Sequence, residues 1–261
     1  MGVNNSSDTR VTPVFSQLRT TDPTGSSWLP GLLQLGSRAS ETSVPIGPYG
    51  LVTGHLPTWG REELSLPAPL TLLEYLVKNV SLDRVAKSGD TGVVLEKRTA
   101  LARRDPSTQS EALNALSKGQ RGRRWYVLEG QSRPDATLIL KTAVLVIEGK
   151  RTERSCTSKT KWMGARSQLI RHMDAATDYF PDKQVLGLLI VEGDGGPEAV
   201  APSAYWEAQS RAQYLPQMLI DSLPHRTASE RDKIKDGVLG VTTWQVICKQ
   251  NHLPWPPALE A

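Results

Sequence analysis

The stretch RPDATLILKTAVLVIEGK, residues 133–150, contains two short apolar runs separated by Lys141 and Thr142. Both runs are rich in the β-branched and aliphatic residues that strands favour, and neither is long enough for a typical helix. The stretch therefore predicts two adjacent strands, over 136–140 and 143–147, that pair as an antiparallel hairpin.

The register of this hairpin decides whether its polar residues meet. A turn centred between residues 141 and 142 places Asp135 directly opposite Glu148, with Cβ atoms ~4.5–5.5 Å apart. Two carboxylates at that separation repel unless a cation lies between them, and a hard divalent ion with oxygen ligands is expected. Lys150 follows Glu148 by two residues, so strand alternation turns it to the same face. A three-residue loop would shift the register and separate the carboxylates.

The periodicity on either side of the hairpin predicts an α/β domain. Apolar spacing indicates helices over 70–77 and 112–116, a strand over 125–128, an amphipathic helix over 162–176 and a buried strand over 185–191. The later elements are a helix over 205–223, a strand over 238–242 and a helix through 249. This order predicts a mixed central sheet of four or more strands flanked by helices.

The distribution of turn-forming residues divides the chain into three parts. Residues 1–66 are dense in Ser, Thr, Gly and Pro, which predicts an irregular N-terminal arm or cap, part of which packs on the core. Residues 67–250 form the predicted α/β domain, with its core over 107–191. Residues 251–261 form a Pro-rich C-terminal tail.

Composition excludes several classes of protein. With 38% hydrophobic and 22% charged residues, the chain is typical of globular proteins rather than disordered ones. No apolar run reaches the ~18 residues of a membrane span, and the N-terminus lacks a secretory layout, so we expect a cytoplasmic protein without a membrane partner. Cys156 and Cys248 are too far apart in sequence to indicate a zinc site. The net charge of +4 suits an anionic partner.

The motif Pro-Asp, followed by an apolar strand that ends in Glu-X-Lys, resembles the PD-(D/E)xK nuclease superfamily, also called restriction-endonuclease-like. The resemblance covers residues 107–191 and includes the order of helices and strands. It implies a restriction-endonuclease-like core and Mg²⁺-dependent hydrolysis of phosphodiester bonds, with DNA the favoured substrate and Mn²⁺ able to replace Mg²⁺. It also implies that Asp135, Glu148 and the carbonyl of Gly149 bind the metal and that Lys150 positions or activates the attacking water.

The resemblance suggests roles for residues on the neighbouring helices. Many members have a metal-binding Glu on the helix before the first strand, and Glu111 lies at that place, with Glu74 and Glu96 as competitors. A Gln on the helix after the Lys is frequent, and Gln168 matches it. Some subfamilies have a Tyr four residues later, where this chain has His172, which we expect on the helix surface.

Basic residues begin at the proposed site and continue towards the next helix. They are Arg151, Arg154, Lys159, Lys161, Arg166 and Arg171. Such a run is often only a solvated face, yet this one lies where a phosphate backbone would approach the metal, so we predict that it binds nucleic acid. Arg121, Arg123 and Arg124 would extend the same surface.

Other interpretations of these residues stay open. In a purely structural one, Asp135 follows a turn and Glu148 is exposed at a sheet edge and paired with Lys150. The main alternative to a nuclease is a non-catalytic nucleic-acid-binding or assembly module with the same fold. A small-molecule enzyme is less favoured, because the glycines over 193–196 lack a phosphate-binding lysine or GxGxxG spacing. The sequence also leaves open whether the protein forms a homodimer and whether the substrate is DNA or RNA.

Overall fold

The computed structural model describes residues 7–42, 51–53, 64–151, 155–199 and 201–257. The strands are β1 (Leu51–Thr53), β2 (Ala136–Leu140), β3 (Ala143–Lys150), β4 (Thr157–Lys159), β5 (Ala165–Ser167), β6 (Gln184–Val191) and β7 (Val238–Thr243). The α-helices are α1 (Thr12–Thr21), α2 (Leu29–Gln34), α3 (Leu70–Asn79), α4 (Leu82–Ala86), α5 (Gly92–Ala102), α6 (Pro106–Ser117), α7 (Gln168–Tyr179), α8 (Ala204–Gln213), α9 (Pro216–Ser222), α10 (Ala228–Asp236) and α11 (Trp244–Gln250). None of the helices in these ranges has the length and apolar character needed to cross a membrane.

Five strands form one mixed sheet in the order β1-β2-β3-β6-β7. β2 pairs antiparallel with β1 and β3, whereas β6 pairs parallel with β3 and β7. β3 and β6 are buried along nearly their whole length, as parallel strands covered on both faces must be. The prediction of an α/β protein with a mixed sheet flanked by helices is therefore confirmed.

The β2–β3 hairpin has the register that the sequence predicts. Ala136 lies opposite Ile147, and Ile139 lies opposite Val144. Continuing this register by one residue brings the backbone of Asp135 opposite that of Glu148, at the end of the sheet where β3 meets the last residues of β6. The hairpin therefore sets the position of the candidate site.

Separate apolar clusters cover the two faces of the sheet. Odd-numbered residues of β3, such as Ile147, pack with Phe15 of α1 and Trp244 of α11. Even-numbered residues of β3, such as Val146, pack with Met173 of α7. This alternation follows from the period of two in a strand, and it directs Glu148 and Lys150 towards the α7 face. A third cluster joins α3, α5 and α6.

The N-terminal segment is more regular than predicted. The expectation of an irregular arm over 1–66 is wrong for 12–21 and 29–34, which form α1 and α2 and pack in the same cluster as β3. β1 adds a short antiparallel edge strand next to β2. These helices are short and α1 is rich in Thr, so their periodicity is weak. Burial of Phe15 and Leu18 stabilises α1, and burial of Leu32 stabilises α2.

The predicted strand over 125–128 is wrong. Those residues form turns and irregular structure, and Tyr126 and Leu128 are buried in the third cluster against helices α3 and α6. Aromatic and β-branched residues have a high strand propensity, but that propensity mainly reflects burial, which this segment achieves without joining a sheet. Residues 125–128 therefore add no strand to the β2–β3 hairpin.

Two predicted helices have different bounds. The helix expected over 162–176 begins only at Gln168, because β4 and β5 form a separate hairpin before it. The helix expected over 205–223 is two helices, α8 and α9, and Pro216 begins the second. The strands predicted over 185–191 and 238–242 and the last helix, capped by Thr243, are confirmed.

Candidate functional site

A buried ion pair lies at the end of β3. The Nζ atom of Lys150 is 2.7 Å from Oε1 of Glu148, and only 2% of Glu148 and 6% of Lys150 is exposed. Lys150 Nζ also donates to Oε1 of Gln168 at 3.0 Å. Gln168 is the first residue of α7, whose N-terminus is capped by the Ser167 side chain. The structure therefore brings together Glu148, Lys150 and Gln168, as the sequence predicts.

His172 is the part of this cluster that the sequence-based prediction missed. It is buried rather than on the helix surface, and its Nε2 is 3.0 Å from Oε2 of Glu148. Its Nδ1 is 2.6 Å from Oγ of Ser132. The spacing of four residues from Gln168, which places both on one face of α7, is the signal that could have identified it.

Charge in this cluster favours the ionised form of Glu148. Burial raises the pKa of its carboxyl, but the hydrogen bond and charge of His172, followed by the charge of Lys150, lower that pKa by more. The net result is a pKa below the ordinary value of 4.5. An ionised carboxylate can only accept hydrogen bonds, so Nε2 of His172 donates the hydrogen bond to Glu148.

Asp135 is held beside this cluster by the backbone of the next strand. Its Oδ2 accepts a hydrogen bond of 2.8 Å from the backbone N–H of Gly149. The paired residues of the hairpin end at Ala136 and Ile147, and Pro134, two residues before β2, has no N–H to donate to the Gly149 carbonyl. Since the N–H and C=O of one strand residue point to the same neighbouring strand, that carbonyl also points towards the start of β2.

Close packing on the face of the sheet opposite Glu148 requires a glycine at position 149. A Cβ at this position would lie 2.8 Å from Cζ2 of Trp244 and 2.9 Å from Cγ2 of Val11, both of which are buried. Neither neighbour can move into solvent. The glycine therefore allows β3 to pack closely against α11 and the segment before α1.

We expect Gly149→Ala to lower the free energy of unfolding by about 1–3 kcal/mol, because the added methyl group overpacks this contact. Urea unfolding measures the change. Gly130→Ala is the matched control, since Gly130 is exposed and its Cβ would meet nothing within 4 Å. Equal stability of both variants would contradict the packing role of Gly149.

The donor atoms at this site suit a hard divalent cation. Among the described residues, no group of three or more His, Cys, Asp and Glu side chains is arranged to hold a metal. Mg²⁺, however, is commonly bound by one or two carboxylates, with water and substrate phosphates as its other ligands. A carboxylate has about four acceptor positions, and Glu148 uses two of them, for Lys150 and His172. Glu148 therefore has acceptor positions left for such an ion, and the Asp135 carboxylate, held by the Gly149 N–H, adds oxygen donors at the same end of β3.

Glu111 does not belong to this site. Its carboxylate pairs with Lys97 of α5 at 2.5 Å and is half exposed, on a helix of the third apolar cluster. The prediction that Glu111 is a metal ligand and catalytic residue is therefore wrong. Helix α6 packs against α3 and α5 rather than against the sheet. The order of elements along the sequence does not show which of these partners the helix packs against.

Arg166 is also not part of a nucleic-acid surface. Only 1% of it is exposed, its Nη2 donates to Oδ2 of Asp174 at 2.8 Å, and its Nε donates to the Ser222 carbonyl. Arg226 and His225 contact the same carboxylate. The prediction that Arg166 binds nucleic acid is wrong, because a buried arginine with these partners cannot reach a phosphate.

The other predicted basic residues lie in different settings. Arg151 pairs with Glu192, Lys161 pairs with Asp90, and Arg171 pairs with Glu129; all three are partly exposed. Arg154 and the side chain of Lys159 lie outside the described residues. Contact with nucleic acid therefore stays a prediction for this set.

The network around Asp174 predicts a pH dependence of stability. Burial raises the pKa of this carboxyl, but His225, Arg166 and Arg226 lower it by more, so it lies below the ordinary value of 3.8. The ionised carboxylate thus contributes stability that is fully present above the unfolded-state pKa and is lost as the pH falls through the folded-state pKa. We expect the difference in unfolding free energy between wild type and Asp174→Asn to be constant above about pH 5 and to shrink below about pH 4. Urea unfolding between these limits checks this, and a difference that grows on acidification would contradict it.

The cluster does not provide a side-chain nucleophile. The chain Ser132–His172–Glu148 contains the residue types of a serine hydrolase, but only 2% of Ser132 is exposed, so a substrate cannot reach its hydroxyl. Burial raises the pKa of the nearby Cys156 thiol to about 12, which keeps it protonated. The arrangement suits cation binding and charge stabilisation instead.

Comparison with protein-family models, with curated proteins and with solved structures finds no match to this chain. The described residues by themselves define an α/β protein with a buried Glu-Lys-His cluster at the end of the central strand of a mixed sheet.

Proposed function

We propose that this protein is a Mg²⁺-dependent nuclease of the PD-(D/E)xK type that hydrolyses phosphodiester bonds, with DNA the favoured substrate. One observation carries the proposal: Asp135, Glu148, Lys150 and Gln168 converge on one end of β3 from three separate segments. A buried carboxylate at the end of an apolar strand is costly unless it is paired or binds a metal, so such a cluster suggests function.

In this proposal, Asp135, Glu148 and the Gly149 carbonyl would hold the cation, and the chemistry it would supply is Lewis-acid activation of the phosphate and of water. Lys150 stabilises negative charge that develops at the phosphate or orients the attacking water. Gln168 and His172 position Lys150 and Glu148 through the hydrogen bonds described above. The products would carry a 5′-phosphate and a 3′-hydroxyl.

A cleavage panel tests this proposal. Purified protein is incubated with plasmid, linear duplex, single-stranded DNA and RNA, in Mg²⁺ or in Mn²⁺, with EDTA as the control. We expect cleavage of at least one substrate that needs the divalent ion and stops with EDTA. Failure to cut any substrate in either metal would reject the proposed activity.

The alternative function is a non-catalytic nucleic-acid-binding or assembly module. The near-complete burial of Glu148 and Lys150 favours it, because a substrate phosphate has little access to either side chain. Binding of nucleic acid without EDTA-sensitive cleavage in the same panel would support this alternative and exclude the nuclease.

A further inference from the structure

A cleft of about 780 Å³ lies beside the candidate site, between the segment 121–131 and residues 160–162. Its basic lining residues are Arg121, Arg123, Lys161 and Arg171. Leu73, Val127 and Trp162 provide apolar surface. Its volume falls within the range of about 300–1,000 Å³ that is typical of ligand sites.

Positive charge in this cleft exceeds negative charge. Arg121 and Arg123 are exposed, and within the described part of the chain neither has a carboxylate partner. Glu129, the acidic residue of the lining, is buried and already contacts Arg171 at 2.7 Å and Arg166 at 3.6 Å. The two arginines therefore remain available to an anion from solution.

The cleft is connected to the candidate site through two segments of the chain. Arg171 and Gln131 line the cleft, and Arg171 Nη2 donates to the Gln131 carbonyl at 3.2 Å. The residues that follow them, His172 and Ser132, form the hydrogen-bonded pair behind Glu148. An anionic chain bound in the cleft would therefore lie next to the residues that orient Glu148.

We propose that this cleft binds the phosphate backbone of a nucleic-acid strand, with Arg121 and Arg123 as its phosphate contacts. This inference builds on the proposed nuclease function and extends it to how the substrate is held. Arginine is suited to the role because its planar guanidinium matches phosphate geometry. The apolar lining offers contact surface for sugars and bases without reading their sequence.

A binding experiment in EDTA tests the cleft separately from catalysis. Fluorescent single-stranded DNA, duplex DNA and RNA are titrated with wild type and with Arg121→Gln/Arg123→Gln. We expect the double variant to bind at least about tenfold more weakly, because each lost arginine removes a charge-assisted contact with a phosphate. The slope of log affinity against log salt concentration, which is negative, should become less negative by about 1.8 for duplex or about 1.4 for single strands.

The matched control is Arg103→Gln/Arg211→Gln, which removes the same charge from exposed arginines outside the cleft that likewise have no carboxylate partner among the described residues. It should bind like wild type. Equal affinities of the two double variants, or no binding by wild type, would overturn the proposal that the cleft binds nucleic acid. Weaker binding by Arg121→Gln/Arg123→Gln in a protein that cuts nothing would reject the nuclease and keep the cleft. Cleavage by wild type, together with unchanged binding by Arg121→Gln/Arg123→Gln, would reject the cleft and keep the nuclease.

Discussion

Replacing Asp135 with asparagine should lower the rate of Mg²⁺-dependent cleavage by at least about a hundredfold and leave the fold intact. The asparagine oxygen can still accept the hydrogen bond from the Gly149 N–H, so the contact between β2 and β3 is kept. What disappears is the negative charge that would hold the cation. Cleavage rates at saturating Mg²⁺ and urea unfolding together measure the two effects, and we expect a stability loss under about 1.5 kcal/mol.

Asp182→Asn is the matched control for this variant. Asp182 is exposed and precedes the first residue of β6, at the opposite end of the sheet from Glu148. It should cleave at the wild-type rate. Cutting by Asp135→Asn at the wild-type rate would reject Asp135 as a metal ligand, and an unfolded Asp135→Asn protein would show that its carboxylate is structural.

Replacing Asp174 with alanine should lower the free energy of unfolding by about 3–5 kcal/mol. Asp174 has no exposed side-chain surface, and its carboxylate contacts Arg166 and Arg226 at 2.8 Å each. Removing it leaves two guanidinium groups without their shared buried partner. Because the net stability of a domain is about 5–15 kcal/mol, this loss is a large part of the total.

Asp178→Ala is the control, because Asp178 also pairs with Arg226 from the same helix but is 35% exposed. An exposed pair contributes about 0–1 kcal/mol, so Asp178→Ala should be nearly as stable as wild type. Urea unfolding at neutral pH compares the two. Similar losses in both variants would contradict the assignment of Asp174 as the centre of the buried network.

The parts of the fold that the sequence predicts correctly follow from local patterns of apolar residues. The apolar runs on either side of residues 141 and 142 determine both strands of the hairpin, and the position of the turn between them sets the register. The apolar runs over 185–191 and 238–242 likewise predict β6 and β7. The strand prediction over 125–128 is wrong, because strand propensity mainly reflects burial and these residues are buried by helices.

Within the candidate site, the sequence by itself determined that Asp135, Glu148 and Lys150 occur at one end of a hairpin, since the period of two and the turn position decide this locally. Only the tertiary structure decided that His172 and Ser132 complete the cluster, that Glu111 lies elsewhere and that Arg166 is buried beneath Asp174. Those outcomes depend on which helix packs on which face of the sheet. Contacts between residues far apart in sequence, such as the 40 positions that separate Ser132 from His172, leave no periodic signal in a single chain.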